Sequence, residues 1–186
     1  MKSFKLKNTL LANAKIIFRK KISDHRGYLT RLFCFDELKK RNKIQNIKQI
    51  NLSLTLKKNT LRGFHYQIKP YNEVKYVTCL KGKVLDFIID IRKNSKTFLK
   101  FHSEVISEND NKTILIPAGF AHGFLSLVDN CKLLYFHTAN YKSKYERGIR
   151  YDDPKLNLKL VKKPKHISER DKKFNLLPAN FRGIEV

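Results

Sequence analysis

The most informative residues for acid–base chemistry lie in the run Leu61-Arg62-Gly63-Phe64-His65-Tyr66-Gln67. Side chains alternate between the two faces of a strand, so His65 and Gln67 share one face while Phe64 and Tyr66 share the other. A neutral imidazole can take up a proton near neutral pH, which makes His65 a candidate general base. A single histidine on a strand is nevertheless more often structural than catalytic.

Further polar residues interrupt apolar runs later in the chain. His122 lies in a run that follows Ile116-Pro117. Asp86, Asp90 and Arg92 recur at even spacing, which predicts that they share one face of a strand. Together with His65, these insertions favour a polar site assembled from several strands.

The elements that must position these groups are predicted to be β-strands. Residues 16–160 form short apolar or alternating runs separated by turn signals such as Lys81-Gly82-Lys83, a pattern typical of an all-β sandwich or barrel. The predicted strands are 16–18, 28–33, 47–55, 61–67, 73–81, 83–90, 100–106, 112–116, 123–126, 131–138 and 148–151. Two short helices are predicted, one over 35–41 and one from Ser168 onward, where Ser168-Glu169-Arg170-Asp171 resembles a capping box.

Composition indicates one folded domain over residues 1–186. The chain is 41% hydrophobic, with 13 Phe and 8 Tyr, which is enough for a core. Cys34, Cys79 and Cys131 are far apart and odd in number, so we expect neither a disulfide framework nor a zinc site, and a reducing compartment. The apolar stretch after Asn8 is broken within a few residues, so we predict no signal peptide and no membrane span.

The formal charge of +24, from 40 Lys and Arg against 16 acids, raises the question of a nucleic-acid partner. The basic residues are scattered over the whole chain, and no nucleic-acid-binding motif accompanies them. We therefore expect nucleic acid not to be the natural partner. The charge does favour attraction of small anions, including a diphosphate.

Five segments carry a resemblance to a known family: 61–67, Lys75-Tyr76-Val77, 84–92, 116–124 and Leu134-Tyr135. In this order they resemble the dTDP-4-dehydrorhamnose 3,5-epimerases, a branch of the cupin-like jelly rolls. The resemblance runs nearly continuously from Asp24 to Asp171. It implies an all-β, cupin-like jelly-roll β-sandwich barrel with short peripheral helices.

The resemblance also implies a mechanism. A 4-keto group acidifies the hydrogens on sugar carbons 3 and 5, so inversion needs a base on one face of the ring and an acid on the other. By resemblance, His65 is the base, Asp171 orients it, Lys75 stabilises the enolate oxygen and Tyr135 returns a proton from the opposite face. Substrate-binding positions implied in the same way are Arg62, His122, Arg26, Gln49, Asn51, Tyr141 and Glu146. Family members are dimers that exchange strands, so a homodimer is expected in which some of these residues reach the neighbouring site.

Two departures from the family pattern stand out. Arg31 occupies a position where the family has an acid shortly after Arg26-Gly27, which leaves the nucleotide base open. The usual tryptophans near the end are absent, and residues 150–154 and 157–160 stand in their places. The packing there must differ, whereas the chemistry of His65 is unaffected.

The resemblance to cupins raises the question of a metal. Many cupins bind one through two histidines spaced one apart, a glutamate and a later histidine, but here Gln67 stands where the second histidine would be. The remaining histidines, His25, His102, His137 and His166, show no ligand spacing. We expect no metal and no cofactor.

The sequence thus predicts a cytoplasmic isomerase that inverts carbons 3 and 5 of a nucleotide-linked 4-keto-6-deoxyhexose and supplies surface-polysaccharide synthesis. One alternative is an epimerase of carbon 3 alone, or one acting on another nucleotide sugar. An alternative of a different class is a non-catalytic basic jelly-roll module that binds sugar or RNA. The joint presence of His65, Lys75 and Tyr135 argues against this non-catalytic alternative.

Overall fold

The computed structural model describes residues 3–40, 46–158, 160 and 162–186. Within these residues the chain forms mainly β-strands, with two short α-helices and two single-turn 3-10 helices. The strands are β1 Phe4–Asn8, β2 Lys15–Arg19, β3 Lys21–Asp24, β4 Gly27–Thr30, β5 Gln49–Thr55, β6 Thr60–Gln67, β7 Lys75–Lys81, β8 Lys83–Asp90, β9 Phe101–Ser107, β10 Lys112–Ile116, β11 Phe120–Ser126, β12 Cys131–His137, β13 Glu146–Gly148 and β14 His166–Ile167. The α-helices are α1 Phe35–Lys39 and α2 Glu169–Lys172, and the 3-10 helices are Ser143–Tyr145 and Pro154–Leu156.

Two sheets form the body of the molecule. The first has the strand order β1-β2-β10-β7-β12-β5, and the second has the order β13-β6-β11-β8-β9. All of these neighbours are antiparallel, whereas β14 adds to β6 in parallel. Strands β3 and β4 form a separate hairpin. The architecture is a jelly-roll β-sandwich, as the sequence predicts.

The core lies in three layers because each sheet buries side chains on both faces. Between the sheets, Val77 and Leu133 of the first sheet pack with Ile88 and Phe124 of the second. The outer face of the second sheet is covered by the chain after β13, and the outer face of the first sheet is partly covered by α1 through Leu38. The space between the sheets is filled by apolar residues over part of its length and is left open elsewhere.

Several predicted boundaries were wrong, for identifiable reasons. The strand predicted over 28–33 ends at Thr30, because the apolar residue Phe33 instead packs on Tyr76 and Phe136 at the outer face of the first sheet. The strand predicted over 123–126 begins at Phe120, directly after the turn at Gly119. The strand predicted over 148–151 is β13, which lies earlier because Glu146 and its neighbours pair with the edge of β6.

Three strands were not predicted at all. β3 is exposed along its whole length, and β1 and β14 bury too few side chains to show an apolar pattern. Helix α1 is shorter than the predicted 35–41, and residue 41 lies outside the described residues. The Ser168 half of the capping box is confirmed, since its side chain accepts a hydrogen bond from the Asp171 N–H at 3.1 Å, at the start of α2, whereas the Asp171 carboxylate binds the Gly63 N–H and His65. In the described part of the chain, no helix has the length and apolar character needed to span a bilayer.

Candidate active site

A cavity of about 1270 Å³ opens between the two sheets. Strands β5, β7 and β12 line it from the first sheet, β6 and β11 line it from the second, and the segment 165–172 closes one side. The volume exceeds that of most small-molecule pockets, roughly 300–1,000 Å³, and so suits a ligand of two parts. Among the described lining residues, five are Lys or Arg and three are Asp or Glu, which favours a ligand with negative charge.

A β-bulge in β6 sets the direction of the side chains that project into the cavity. The pairing of β6 with β11 shifts register, since His65 faces His122 whereas Arg62 faces Phe124. The extra residue in β6 brings Arg62 and His65 onto the same face, although their spacing would place them on opposite faces of a regular strand. Gly63 makes the bulge possible, because its φ is +122° and an added Cβ would lie 2.5 Å from the Gly123 Cα.

His65 and Asp171 form a short hydrogen-bonded pair in the cavity wall. The His65 Nε2 and the Asp171 Oδ1 are 2.7 Å apart, with the carboxylate side chain 4% exposed and the imidazole 24% exposed. Because Nε2–H donates to the carboxylate, Nδ1 is the nitrogen left to accept a proton. The ring also contacts Phe174 edge-on, at 5.8 Å between ring centroids, and this contact limits its rotation.

The end of the chain holds Asp171 beside His65. Strand β14 pairs with Thr60 and Leu61 of β6, and α2 then starts with the Ser168 cap. The Gly63 N–H donates to Asp171 Oδ2 at 3.2 Å. Burial would raise the pKa of Asp171, but the hydrogen bonds from His65 and Gly63 outweigh it and hold the pKa below its usual value. The carboxylate is therefore ionised at neutral pH and can orient the imidazole.

Arg170 is a second charged neighbour of His65. Its Nη2 lies 3.2 Å from His65 Nε2, and its Nη1 donates to Glu146 Oε2 at 2.9 Å. The His65 Nε2 cannot both donate to Asp171 and accept from the Arg170 guanidinium. Because the contact to the carboxylate is the shorter of the two, we assign the ring proton to Nε2. Arg170 therefore acts on the site through Asp171, whose Oδ1 lies 3.7 Å from its Nε, and through Glu146, which also accepts from the Tyr141 hydroxyl at 2.8 Å.

Tyr135 projects into the same cavity from the opposite sheet. It lies on β12, directly across from Asn51 of β5 and Val77 of β7. Its ring contacts His122 edge-on at 6.0 Å and stacks on His137 at 5.9 Å. Burial raises the pKa of the Tyr135 phenol well above its usual value, so the hydroxyl stays protonated and can donate a proton.

His122 forms a second histidine–carboxylate pair. Its Nε2 lies 2.8 Å from Asp86 Oδ2, and the two side chains are 6% and 2% exposed. The sequence groups Asp86 with Asp90 and Arg92 on one face, but only Asp86 lies near the cavity. Asp90 pairs with Arg92 at the far end of the strand, at 2.7 Å.

Lys75 belongs to a third cluster, on the first sheet. Its Nζ donates to the His65 carbonyl at 3.4 Å and lies 3.4 Å from Glu73 Oε1. The other oxygen of Glu73 accepts from His137 Nδ1 at 2.7 Å. Lys75 is thus a buried ammonium held by a buried carboxylate, with its head beside the backbone of His65.

The predicted substrate-binding residues divide into two groups. Arg62 lines the cavity and is tied to β5 by bonds of 3.0 Å from Nε to the Thr55 hydroxyl and from Nη2 to the Leu54 carbonyl. Gln49, Asn51, Tyr141 and Glu146 also line the cavity. Arg26 does not: it lies at the turn of the β3–β4 hairpin, its side chain 78% exposed and paired with Asp24. Arg31 also lies outside the cavity lining and donates to the Ser3 hydroxyl at 3.1 Å.

Sequence reasoning missed Glu73, His137, Asp86 as the partner of His122, and Arg170. Two of them had a local signal, since Glu73 lies two residues before Lys75 and His137 lies two residues after Tyr135. That spacing places each pair on one strand face. Asp86 and Arg170 meet their histidines through long-range contacts that no local pattern reveals. The three histidine–carboxylate pairs remain separate, and within the described residues no cluster of three or more His, Cys, Asp or Glu side chains could hold a metal.

These features define the class of protein: a jelly roll whose inter-sheet cavity opposes a histidine–carboxylate pair to a protonated tyrosine, which is an acid–base site. Residues 8–178 match the family model described as dTDP-4-dehydrorhamnose 3,5-epimerase. The chain therefore belongs to the dTDP-4-dehydrorhamnose 3,5-epimerase family.

Individual relatives agree over nearly the whole chain. The dTDP-4-dehydrorhamnose 3,5-epimerase of Sinorhizobium fredii is 32% identical over 180 residues, which cover 95% of this chain and 92% of the relative. The enzyme of the same name from Bacillus anthracis, solved with TDP and PPi bound, has a TM-score of 0.90 at 28% identity and covers 94% of this chain and 99% of its own. The Legionella pneumophila epimerase, solved in complex with dTDP-4-keto-L-rhamnose, has a TM-score of 0.88 at 31% identity and covers 93% of this chain and 92% of its own.

A relative of different outcome shares the fold. A 3'-monoepimerase from Streptomyces bikiniensis, in complex with dTDP-quinovose, has a TM-score of 0.84 at 26% identity and covers 90% of this chain and 85% of its own. One jelly-roll architecture therefore accommodates both single and double epimerisation. The fold alone therefore does not set the number of carbons that are inverted.

Proposed function

We propose that this protein inverts carbons 3 and 5 of a dTDP-linked 4-keto-6-deoxyhexose, giving the dTDP-4-keto-L-rhamnose type of product. The observation that carries the proposal is that His65 of the second sheet, paired with Asp171, and the Tyr135 phenol of the first sheet line the cavity from opposite sides. Inversion requires a base and an acid on opposite sides of a sugar ring, and the two sheets supply them.

The reaction begins with proton abstraction by His65. Nδ1 takes the proton from the sugar carbon beside the keto group. The C–H electron pair then forms a double bond to the keto carbon, and the π electrons of the carbonyl move onto its oxygen to give the enolate. Asp171 stabilises the imidazolium that forms, because its carboxylate stays ionised and bound to Nε2. General-base catalysis of this kind contributes about 10²–10⁴-fold in rate.

Lys75 stabilises the negative oxygen of the enolate. Its ammonium has one carboxylate partner and lies at the cavity wall beside His65, so it can donate to an oxygen held there. Preorganised donors of this kind contribute about 10²–10³-fold. Tyr135 then gives its proton to the opposite face of the carbon. Exchange of His65 and Tyr135 with solvent restores both groups for the second carbon.

The identity of the nucleotide half of the substrate is inferred from the charge of the cavity and from the ligands bound in solved relatives. The excess of basic side chains around the cavity suits a diphosphate, and Arg62 offers a guanidinium of the geometry that phosphate oxygens accept. Solved relatives bind TDP and dTDP-4-keto-L-rhamnose. We assign dTDP to this chain on that basis.

We also propose a homodimer in which the β3–β4 hairpin reaches the partner. Edge strand β5 exposes Ile50 at 58% and Leu52 at 60%, and the hairpin exposes Leu29 at 71%, so apolar side chains face outward along both elements. Such exposure supports the proposal that a second copy covers them. In the exchange, Arg26 would enter the neighbouring cavity.

Sedimentation velocity tests the dimer. Leu52→Lys should shift the protein to monomer, while Leu10→Lys, a change at an apolar side chain that is 89% exposed in the turn after β1, should leave it unchanged. A monomeric parent protein would contradict the proposed assembly.

We place the reaction in the cytoplasm because all three cysteines are free, as in a reducing compartment.

A second candidate function is epimerisation at carbon 3 alone, which the monoepimerase relative favours. A screen of dTDP-, UDP- and GDP-linked 4-keto-6-deoxy sugars in heavy water separates the two. We expect deuterium at both carbons with the dTDP sugar, detected by NMR. Deuterium at carbon 3 alone would support the second candidate, and no uptake with any sugar would refute both.

A further inference from the structure

His137 is a cavity residue that the proposed chemistry does not use. It follows Tyr135 by two positions on β12, so both side chains face the cavity. The two rings are nearly parallel, at 17° and 5.9 Å between centroids, and the His137 side chain is 13% exposed. An imidazole with so little exposure needs a hydrogen-bond partner for each of its two nitrogens.

A chain of hydrogen bonds decides which nitrogen of His137 carries the proton. It starts from the backbone N–H of Tyr141, which can only donate and does so to Gln49 Oε1 at 2.9 Å. The Gln49 amide must then direct its Nε2 to Asn51 Oδ1, at 3.1 Å. Asn51 in turn presents Nδ2 to His137 Nε2, at 3.4 Å. Since Nδ2 is a donor, Nε2 of His137 must accept, and the ring proton lies on Nδ1.

The proton on Nδ1 is donated to Glu73 Oε2 at 2.7 Å. Glu73 is 9% exposed, and its other oxygen lies 3.4 Å from Lys75 Nζ. Burial would raise the pKa of Glu73, but the hydrogen bond from His137 and the charge of Lys75 hold it below its usual value. An ionised, buried carboxylate is thus shared between the imidazole and the ammonium.

We propose that His137 is a positioning residue that couples the two halves of the cavity. Through Nε2 it fixes the amides of Asn51 and Gln49 for recognition of the nucleotide sugar, and through Nδ1–H it fixes Glu73 and with it the Lys75 ammonium. The inference rests on the proposed function, because it assigns the amide side to binding and the Lys75 side to turnover.

Two substitutions separate the two hydrogen bonds. In His137→Asn the amide nitrogen reaches the place of Nδ1, so the bond to Glu73 is kept and the acceptor for Asn51 is lost. In His137→Gln the amide oxygen reaches the place of Nε2, so the acceptor is kept and the bond to Glu73 is lost. His102→Asn is the matched control, since His102 lies on β9 outside the cavity lining.

Steady-state kinetics should show opposite effects. Loss of one hydrogen bond corresponds to a change of up to about tenfold. We expect His137→Asn to raise KM by about tenfold with little change in kcat, and His137→Gln to lower kcat by about tenfold with little change in KM. His102→Asn should leave both parameters unchanged. Equal changes in KM and kcat for the two variants, or no change in either, would overturn the proposal.

A spectroscopic signature tests the hydrogen-bond chain without turnover. Long-range ¹H–¹⁵N correlation spectra of the free protein, with the His137 signals assigned from their loss in His137→Gln, should show the neutral Nδ1–H tautomer. An Nε2–H tautomer would overturn the proposed chain directly. Absence of turnover with any nucleotide sugar would refute the proposed function, while the tautomer would still decide whether His137 is held in the proposed way.

Discussion

The substitution Asp171→Asn is expected to place the proton of His65 on the wrong nitrogen. The Gly63 N–H donates to the Oδ2 position and requires an acceptor there. Asparagine must therefore put its oxygen toward Gly63 and its NH₂ toward His65 Nε2, where the carboxylate now lies 2.7 Å away. Nε2 then accepts, Nδ1 carries the proton, and the base nitrogen is blocked.

The expected loss follows from the role that is removed. The change keeps the size of the side chain and the Gly63 contact, so the loss should fall on catalysis rather than folding. We expect kcat to fall by about 10²–10⁴-fold, the usual contribution of a general base. KM should change little, because Asp171 acts through His65 and not on the sugar.

The assay is the rate of solvent-deuterium incorporation into the dTDP-linked 4-keto sugar, followed by NMR. Asp129→Asn serves as the control, since Asp129 is exposed and accepts one bond, from the Lys58 N–H at 2.6 Å, which an amide oxygen can also accept. We expect the control to match the parent protein. If Asp171→Asn exchanged deuterium at nearly the parental rate, the assignment of the His65–Asp171 pair as the base would be refuted.

Three further outcomes follow. Tyr135→Phe should depress inversion at both carbons, by about 10²-fold or more, because the same phenol returns the proton to each, and inversion at the parental rate by product NMR would contradict this. Gly63→Ala should lower both the melting temperature and activity, because the new Cβ would lie 2.5 Å from the Gly123 Cα at a φ of +122°; an unchanged melting temperature would contradict the bulge argument. Burial would raise the pKa of Asp90, but the hydrogen bonds from Arg92, Ser95 and Thr97 outweigh burial and lower this pKa in the folded protein. The ionised Asp90 therefore stabilises the fold fully above the pKa of the unfolded chain, near 3.8, and this stabilisation is lost as the pH falls through the lower pKa of the folded protein. Denaturant titrations across acidic pH should therefore show a shallower loss of stability in Asp90→Asn, and an unaltered slope would disagree with this sign.

The sequence predicted the strand framework best where strands bury side chains. Strands β6, β8 and β12 each bury several apolar side chains, and each lies close to its predicted range. By contrast, β3 is exposed at every residue, so burial left no pattern in it. The bulge at Gly63 was also beyond a local pattern, because it depends on the approach of β11 and not on the residues of β6 alone.

The site was predicted as a set of residues, but not as a network. Resemblance pointed to His65, Lys75, Tyr135 and Asp171, and the structure brings all four to one cavity. The partners of these groups depend on contacts over long sequence distances. Asp86 meets His122 across 36 positions, and Glu73 meets His137 across 64. Only a folded chain reveals that His65, His122 and His137 each have their own carboxylate in the cavity.

The most direct test of the account compares the parent protein with His65→Ala in heavy water, with the dTDP-linked 4-keto-6-deoxy sugar as substrate and NMR of carbons 3 and 5 as the readout. Deuterium is expected at both carbons with the parent protein and, for His65→Ala, at a rate lower by about 10²–10⁴-fold at both. Exchange by His65→Ala at the parental rate would contradict the central claim that His65 is the base.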